Sequence, residues 1–276
     1  MFPILIDFGT FRLPLIGDVH LFLPTYGFLF ASAVLLAWFW LQRRARSVGV
    51  SDEHSFNMSF YGLLAGIVGG KLLLILVDWR VYLLHPSEIL GTLRAGGVLL
   101  GGVLAGAATF TFYVRRHGLP LLKLVDAAVA PVALAQSIGR LGCFSAGCCW
   151  GAEASSGAAL AVTFTDPVAH QQTGVPLGVP LVPVQLIQSI HDMALCLVLT
   201  LLWRRRLRPD GTVFWIYVLL YSIGRGIIEL WRGDVHRGLY LGGLLSTSQL
   251  LGIAGILLAT VMLVRGGIQR RASAER

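Results

Sequence analysis

Three basic side chains stand inside otherwise apolar runs of this sequence. Lys71 follows Gly69 and Gly70, and Arg140 lies in Gly139-Arg140-Leu141-Gly142-Cys143. Arg225 has Tyr221 four residues before it, Glu229 four residues after it and Arg232 three beyond that. A charge within a bilayer costs at least about 2.5–3.5 kcal/mol on insertion scales, so such residues are usually paired or functional. Helical residues four apart share a face, which makes Tyr221, Arg225 and Glu229 one polar stripe. Two readings stand. Arg225 and Glu229 form a buried structural ion pair, or Arg140, Arg225 and Lys71 outnumber the nearby acids and hold an anion. The planar guanidinium fork matches phosphate, so a phospholipid headgroup is the anion such a site would take.

The elements that must position these residues follow from composition. The chain has 276 residues, 55% hydrophobic and only 13% charged, and its mean hydropathy is +0.74. A soluble domain carries about 25% charged residues. A typical cytosolic enzyme, a disordered chain and a nucleic-acid binder are therefore excluded. Apolar stretches long enough to cross a bilayer as helices, about 20 residues each, fall at 20–42, 56–78, 96–114, 124–141, 184–203, 212–231 and 243–264. The fourth carries Asp126, Pro131 and Gln136 and reads as a helix buried among the others. Residues 1–19 lack a basic leader and read as an amphipathic segment at the membrane interface. The expectation is one all-α integral membrane domain with about seven transmembrane helices.

Orientation follows from the basic residues. With the N-terminus outside, most of the 22 lysines and arginines fall on the cytoplasmic side, among them Arg43, Arg44, Arg46, Arg115, Arg116, Lys123, Arg204, Arg205, Arg206, Arg208, Arg265, Arg270, Arg271 and Arg276. Arg12, Arg80, Arg94, Arg232 and Arg237 fall outside. The net charge of +8 thus reflects topology rather than nucleic-acid binding. The long connection 142–183, which contains no lysine or arginine, is expected to be extracytoplasmic.

The run Gly96-Gly97-Val98-Leu99-Leu100-Gly101-Gly102 would let a backbone approach a ligand or another helix closely. Cys143, Cys148 and Cys149 match no zinc spacing. They could form a disulfide, pack as small apolar groups, or supply a catalytic thiol. Cys196 reads as packing. His191 beside Asp192 could accept a proton or simply bond neighbouring helices.

On these residues the chain resembles the prolipoprotein diacylglyceryl transferase family. Tyr26-Gly27 is similar to its YG, Gly69-Gly70-Lys71 to its GGR, and Asp126 with Pro131 to its D-x-x-x-x-P. The stretch Gly139 to Gly151 is similar to GRxGNFxNGExWG, and Pro183-Val184-Gln185-Leu186 to PxQLYE. Tyr221 to Arg232 is similar to YxxxRxxxExxR, and Leu245 to Gln249 to LTxGQ. The resemblance implies transfer of diacylglyceryl from phosphatidylglycerol to the lipobox cysteine of a prolipoprotein, outside the bacterial cytoplasmic membrane. A thioether forms and glycerol phosphate leaves. The partners implied are that lipid and the prolipoprotein signal peptide, with no cofactor and no metal. Arg140, Arg225, Glu229 and Tyr26 would be catalytic. Arg140, Tyr221, Lys71, Gly101, Gly102, Cys143 and Arg232 would bind substrate. Arg140 would hold the donor phosphate and Arg225 the charge growing on it, with Glu229 and Tyr221 orienting Arg225. The alternatives are a paralogue with another acceptor, or a non-catalytic lipid-binding or transport protein.

Several positions depart from the family pattern. Leu100 stands where the run before the second glycine pair usually has histidine or tyrosine. Cys143 replaces the signature asparagine and Cys148 the signature glutamate. Gln188 replaces the glutamate of PxQLYE. The evident thiol-deprotonating base is therefore missing, and Tyr26, His191 and His20 are candidate substitutes.

Overall fold

The computed structural model describes residues 3–13, 17–92, 97–155, 158–207, 209–234, 238–240 and 245–274. Gly96 of the glycine run, and Arg94, Arg208, Arg237 and Arg276 of the charge pattern, lie outside the described residues. In chain order the elements are β1 (Ile4–Leu13), β2 (Gly17–Pro24), α1 (Thr25–Ser47), α2 (Asp52–Val77), α3 (Trp79–Leu84), α4 (Glu88–Gly91), α5 (Leu99–Arg116) and α6 (Leu121–Ala146). There follow β3 (Val162–Thr163), α7 (Pro167–Thr173), β4 (Pro180–Leu181), α8 (Val184–Arg204), α9 (Thr212–Ile228), a 3-10 turn at Glu229–Trp231, β5 (Leu239–Tyr240), β6 (Leu245–Ser246) and α10 (Thr247–Ala274). Six helical stretches are long and apolar enough to cross a membrane: α1, α2, α6, α8, Thr212–Trp231 and Thr247–Ile268. The remaining expected span, 96–114, is helical as α5, whose 18 residues close on Arg115 and Arg116.

Contacts divide the chain into two compact units, Trp40–Val125 and Met1–Phe39 with Asp126–Arg276. In the first, α2 lies directly on α5. A Cβ built at Gly101 would fall on the Gly69 carbonyl and come within 2.5 Å of Leu73 Cβ. A glycine is thus required there for the two backbones to meet. The Val98 amide donates to the Gly70 carbonyl at 3.0 Å, a hydrogen bond between the two segments. The same unit has a small core of Ala45, Val50, Met58, Val114 and Leu124. Ser51 caps α2 by accepting from the His54 amide, with Asp52 and Glu53 in its first turn, the signs that the helix dipole favours.

In the second unit, β1 and β2 pair antiparallel, from Ile4 with Pro24 to Leu13 with Gly17. Large apolar side chains are exposed on the strands, among them Phe8, Phe11, Leu21 and Phe22. His20 pairs with Asp7 at 3.0 Å and Arg12 with Asp18 at 3.7 Å. From Ile4 on, the described part of residues 1–19 is thus strand, and its exposed apolar residues follow no regular alternation.

Of the six long helices α6 is the most buried, 44% of its most apolar window against 6% for α2. Its polar residues have partners, as expected of a helix set among others. Both Asp126 oxygens accept backbone amides at the start of α9, from Gly211 and Phe214, each at 2.7 Å. The acid thereby caps a helix that has no side-chain cap of its own, an arrangement worth roughly 1–2 kcal/mol. Gln136 accepts from the Tyr217 hydroxyl at 2.9 Å. Ser137 and Ser189 bond reciprocally, each hydroxyl donating to the other's carbonyl at 2.8 and 2.9 Å, which ties α6 to α8. The connection from α6 to α8 folds on its own core of Phe164, Ala169, Val175 and Leu181, with Phe144 and Trp150 packed against it.

Candidate active site

The end of α6 sets the geometry. Gly147 takes φ +77°. The Cys148 amide donates to the Cys143 carbonyl at 3.1 Å, and the Gly147 amide to the Phe144 carbonyl at 3.3 Å. These are the two bonds of a Schellman termination, which stops the helix and lays the residue after the glycine over one in the last turn. Cys148 is brought to Cys143 in this way, and Cys149, itself at φ +58°, turns its thiol to both. The three sulfurs lie within 4.8 Å of one another, and all four cysteines are free thiols. Gln185, in the first turn of α8, donates to the Cys148 carbonyl at 2.9 Å and holds the loop.

Arg140 lies three residues before Cys143, on the same face of α6. Its charge acts on Tyr221 of α9, so the two side chains are neighbours. Four residues on, Arg225 pairs with Glu229, whose side chain is only 3% exposed. The buried ion pair expected from spacing is present. Arg232 makes a forked pair with Asp234, with Nε donating to Oδ1 at 2.8 Å and Nη2 to Oδ2. No carboxylate among the described residues pairs with Arg140. Two of the three guanidiniums thus face acids and the third is left for an anion. The neighbouring Cys143 and Cys148 thiols hold the Cys149 thiol below its ordinary range, and the charges of Arg232 and Arg140 act the same way.

Backbone pairing joins the two motif segments. The Ala152 amide donates to the Trp231 carbonyl at 2.7 Å and the Gly233 amide to the Trp150 carbonyl at 3.1 Å, with Gly151 bridged to Arg232. Tyr26, at the start of α1, packs on α6, and a Cβ at Gly142 would meet its ring at 3.1 Å. His191 contacts Asp192 through Nδ1 at 2.9 Å, and Gln188 donates to the same Asp192 oxygen at 2.8 Å. The opposite edge of the imidazole lies against Gly224 of α9, and its ring is 6.4 Å from that of Tyr221. His20 lies in the hairpin, paired with Asp7.

Arg140, Tyr221, Arg225, Glu229, Arg232, Cys143 and Tyr26 therefore all lie in one unit, with Arg140 linked to Tyr221, Arg225 to Glu229 and Tyr26 to the Gly142 turn. Lys71, Gly101 and Gly102 lie in the other. There Lys71 donates to the Thr92 carbonyl at 2.5 Å. Gly101 and Gly102 face Gly69 and Gly66, which is the helix-packing use of that run. Leu100 is 40% exposed on α5. Asp234 was missed by motif reasoning, although an acid two residues after Arg232 was a visible signal. Gln185 was noticed only as part of a motif, without its anchoring role.

The family model described as prolipoprotein diacylglyceryl transferase matches residues 15–265. The chain is 38% identical over 84% of its length to a phosphatidylglycerol–prolipoprotein diacylglyceryl transferase of Clostridium tetani, covering 89% of that protein. It is 34% identical over 88% of its length to a second such transferase of Clostridium perfringens, covering 92% of it. A relative of the same name from Dehalococcoides mccartyi is 33% identical, with 85% of each chain covered. A family match over residues 15–265, with relatives 33–38% identical over 84–88% of the chain, shows that the chain belongs to the prolipoprotein diacylglyceryl transferase family.

Proposed function

We propose that this membrane protein transfers the diacylglyceryl group of phosphatidylglycerol to the lipobox cysteine of a prolipoprotein. The observation that carries the reading is Arg140, which among the described residues pairs with no acid, beside two guanidiniums that do. The acceptor sulfur attacks the glyceryl carbon next to the phosphate. A C–S bond forms, the C–O bond breaks, and its electron pair leaves with glycerol phosphate. The phosphate gains one negative charge in this step. Guanidiniums already in place stabilise that charge without reorganising. Arg140 holds the phosphate and Arg225, oriented by Glu229 and Tyr221, meets the developing charge. Tyr26, Cys143 and Arg232 line the donor's place. Lys71 and the Gly101–Gly102 pair are assigned to donor binding by family pattern alone. His191, backed by Asp192 and set against Gly224 between Tyr221 and Arg225, receives the thiol proton. Read with the N-terminus outside, as the distribution of basic residues supports, the reaction lies at the outer leaflet of the cytoplasmic membrane.

The test is purified protein in phosphatidylglycerol vesicles with a lipobox peptide. Mass spectrometry should find the peptide heavier by one diacylglyceryl group, with equimolar glycerol phosphate released. A His191→Gln variant should transfer more slowly at neutral pH and recover as pH approaches the thiol's own pKa. Release of glycerol phosphate with an unmodified peptide would assign another acceptor. Release of neither product would remove the transferase reading.

A further inference from the structure

We infer that Cys143, Cys148 and Cys149 form a three-thiolate site for one soft metal ion, Zn²⁺ or Cu⁺, with its open position directed to the acceptor thiol. The second half of this statement rests on the proposed transfer reaction; the first does not.

The three sulfurs are already within 4.8 Å of one another. Zinc–sulfur bonds of about 2.3 Å place two sulfurs of one ion about 3.8 Å apart, so only a small closure is needed. The cluster is built into the backbone. The Gly147 termination fixes Cys148 over Cys143, and Cys149 holds a left-handed φ of +58° that a non-glycine residue seldom adopts. Such strain is retained where the surroundings impose it, and it recurs at functional sites.

A second observation points to a ligand. Gln185 is 1% exposed, and its Nε2 holds the Cys148 carbonyl. Its Oε1 is buried with no hydrogen-bond partner. A buried unsatisfied oxygen calls for an unseen donor, and water on an ion held by the next residues would supply one. Soft thiolates select soft or borderline ions. Charge is balanced as well. Three thiolates and a divalent ion carry one net negative charge, with Arg140 one helical turn before Cys143 and Arg232 bridged to Gly151, two residues after Cys149.

Three protein ligands leave a fourth position, the pattern of reactive rather than purely structural zinc. A thiol that enters this position is deprotonated by the ion, and its proton passes to His191 or to water. The metal-bound sulfur then attacks the donor carbon, forming the C–S bond as the C–O bond breaks. A chain with leucine at position 100 thereby gains an activated nucleophile.

The test uses full-length protein in detergent, reduced, freed of metal and titrated with Cd²⁺, whose thiolate complexes absorb in the ultraviolet. The expected result is one Cd²⁺ per chain, with the band lost in Cys149→Ser and in Cys143→Ser and kept in Cys196→Ser. A lipobox peptide should raise the saturated band by about a third as a fourth thiolate joins three, and its cysteine-to-serine form should not. No band in monodisperse unmutated protein overturns the site, as does a band that also disappears in Cys196→Ser. A full band that the cysteine peptide leaves unchanged overturns the acceptor role. Neither reading requires turnover, so failure of the transfer assay leaves both legible.

Discussion

Arg140→Lys is expected to lower the rate of diacylglyceryl transfer at least about 10²-fold, and Arg140→Ala about 10³-fold. The lysine variant is the more informative of the two. It keeps the charge, so a loss must come from geometry. A guanidinium presents a planar set of donors that can grip two phosphate oxygens while still bonding a third group, whereas an ammonium is a point charge. Arg140 also neighbours Tyr221, so its fork has a second group to serve. The other arginines of the cluster have carboxylates at Glu229 and Asp234. They cannot turn fully to a phosphate without leaving those acids buried and unpaired, which is itself costly. The peptide-lipidation assay should show the fall in kcat/KM, with detergent elution profiles unchanged. Full activity in Arg140→Lys would mean that the phosphate is held elsewhere.

The second large effect concerns folding. Gly101→Leu is expected to prevent accumulation of folded protein, and Gly101→Ala to lower stability by about 1–3 kcal/mol. Even the single methyl of alanine would strike the Gly69 carbonyl, and a backbone carbonyl inside a helix cannot rotate away. The helices must separate instead, with loss of the contacts that hold membrane helices together. Gly91→Ala is the control, since a Cβ there meets nothing within 4 Å. Thermal unfolding in detergent, followed by size-exclusion fluorescence, should rank Gly91→Ala at the level of unmutated protein, then Gly101→Ala, then Gly101→Leu. Equal stability of all three would show that α2 and α5 do not depend on this contact.

Much of this molecule is legible in one dimension because a membrane imposes a one-dimensional rule. A span must be apolar for about 20 residues with its backbone bonded internally, and six of the expected stretches are helices of that kind. The polar stripe Tyr221, Arg225, Glu229 follows in the same way from helical periodicity, and the ion pair it suggests is formed. The hairpin at residues 4–24 is less visible, because an amphipathic segment can satisfy either period until its partner strand is known.

The amino-acid sequence by itself determined that the chain crosses a membrane, that a few charges stand where lipid would reject them, and which of those share a helix face. Each depends on composition or local spacing. Only the tertiary structure decided which arginines pair with an acid among the described residues, because Asp234 pairs Arg232 through a turn and Arg140 neighbours Tyr221 of another helix. It likewise decided that a cysteine spacing without a metal signature brings three sulfurs together. The reason is local backbone geometry: a left-handed glycine folds Cys148 back over Cys143, and a left-handed Cys149 completes the group. No periodicity of side chains along the sequence encodes such a turn.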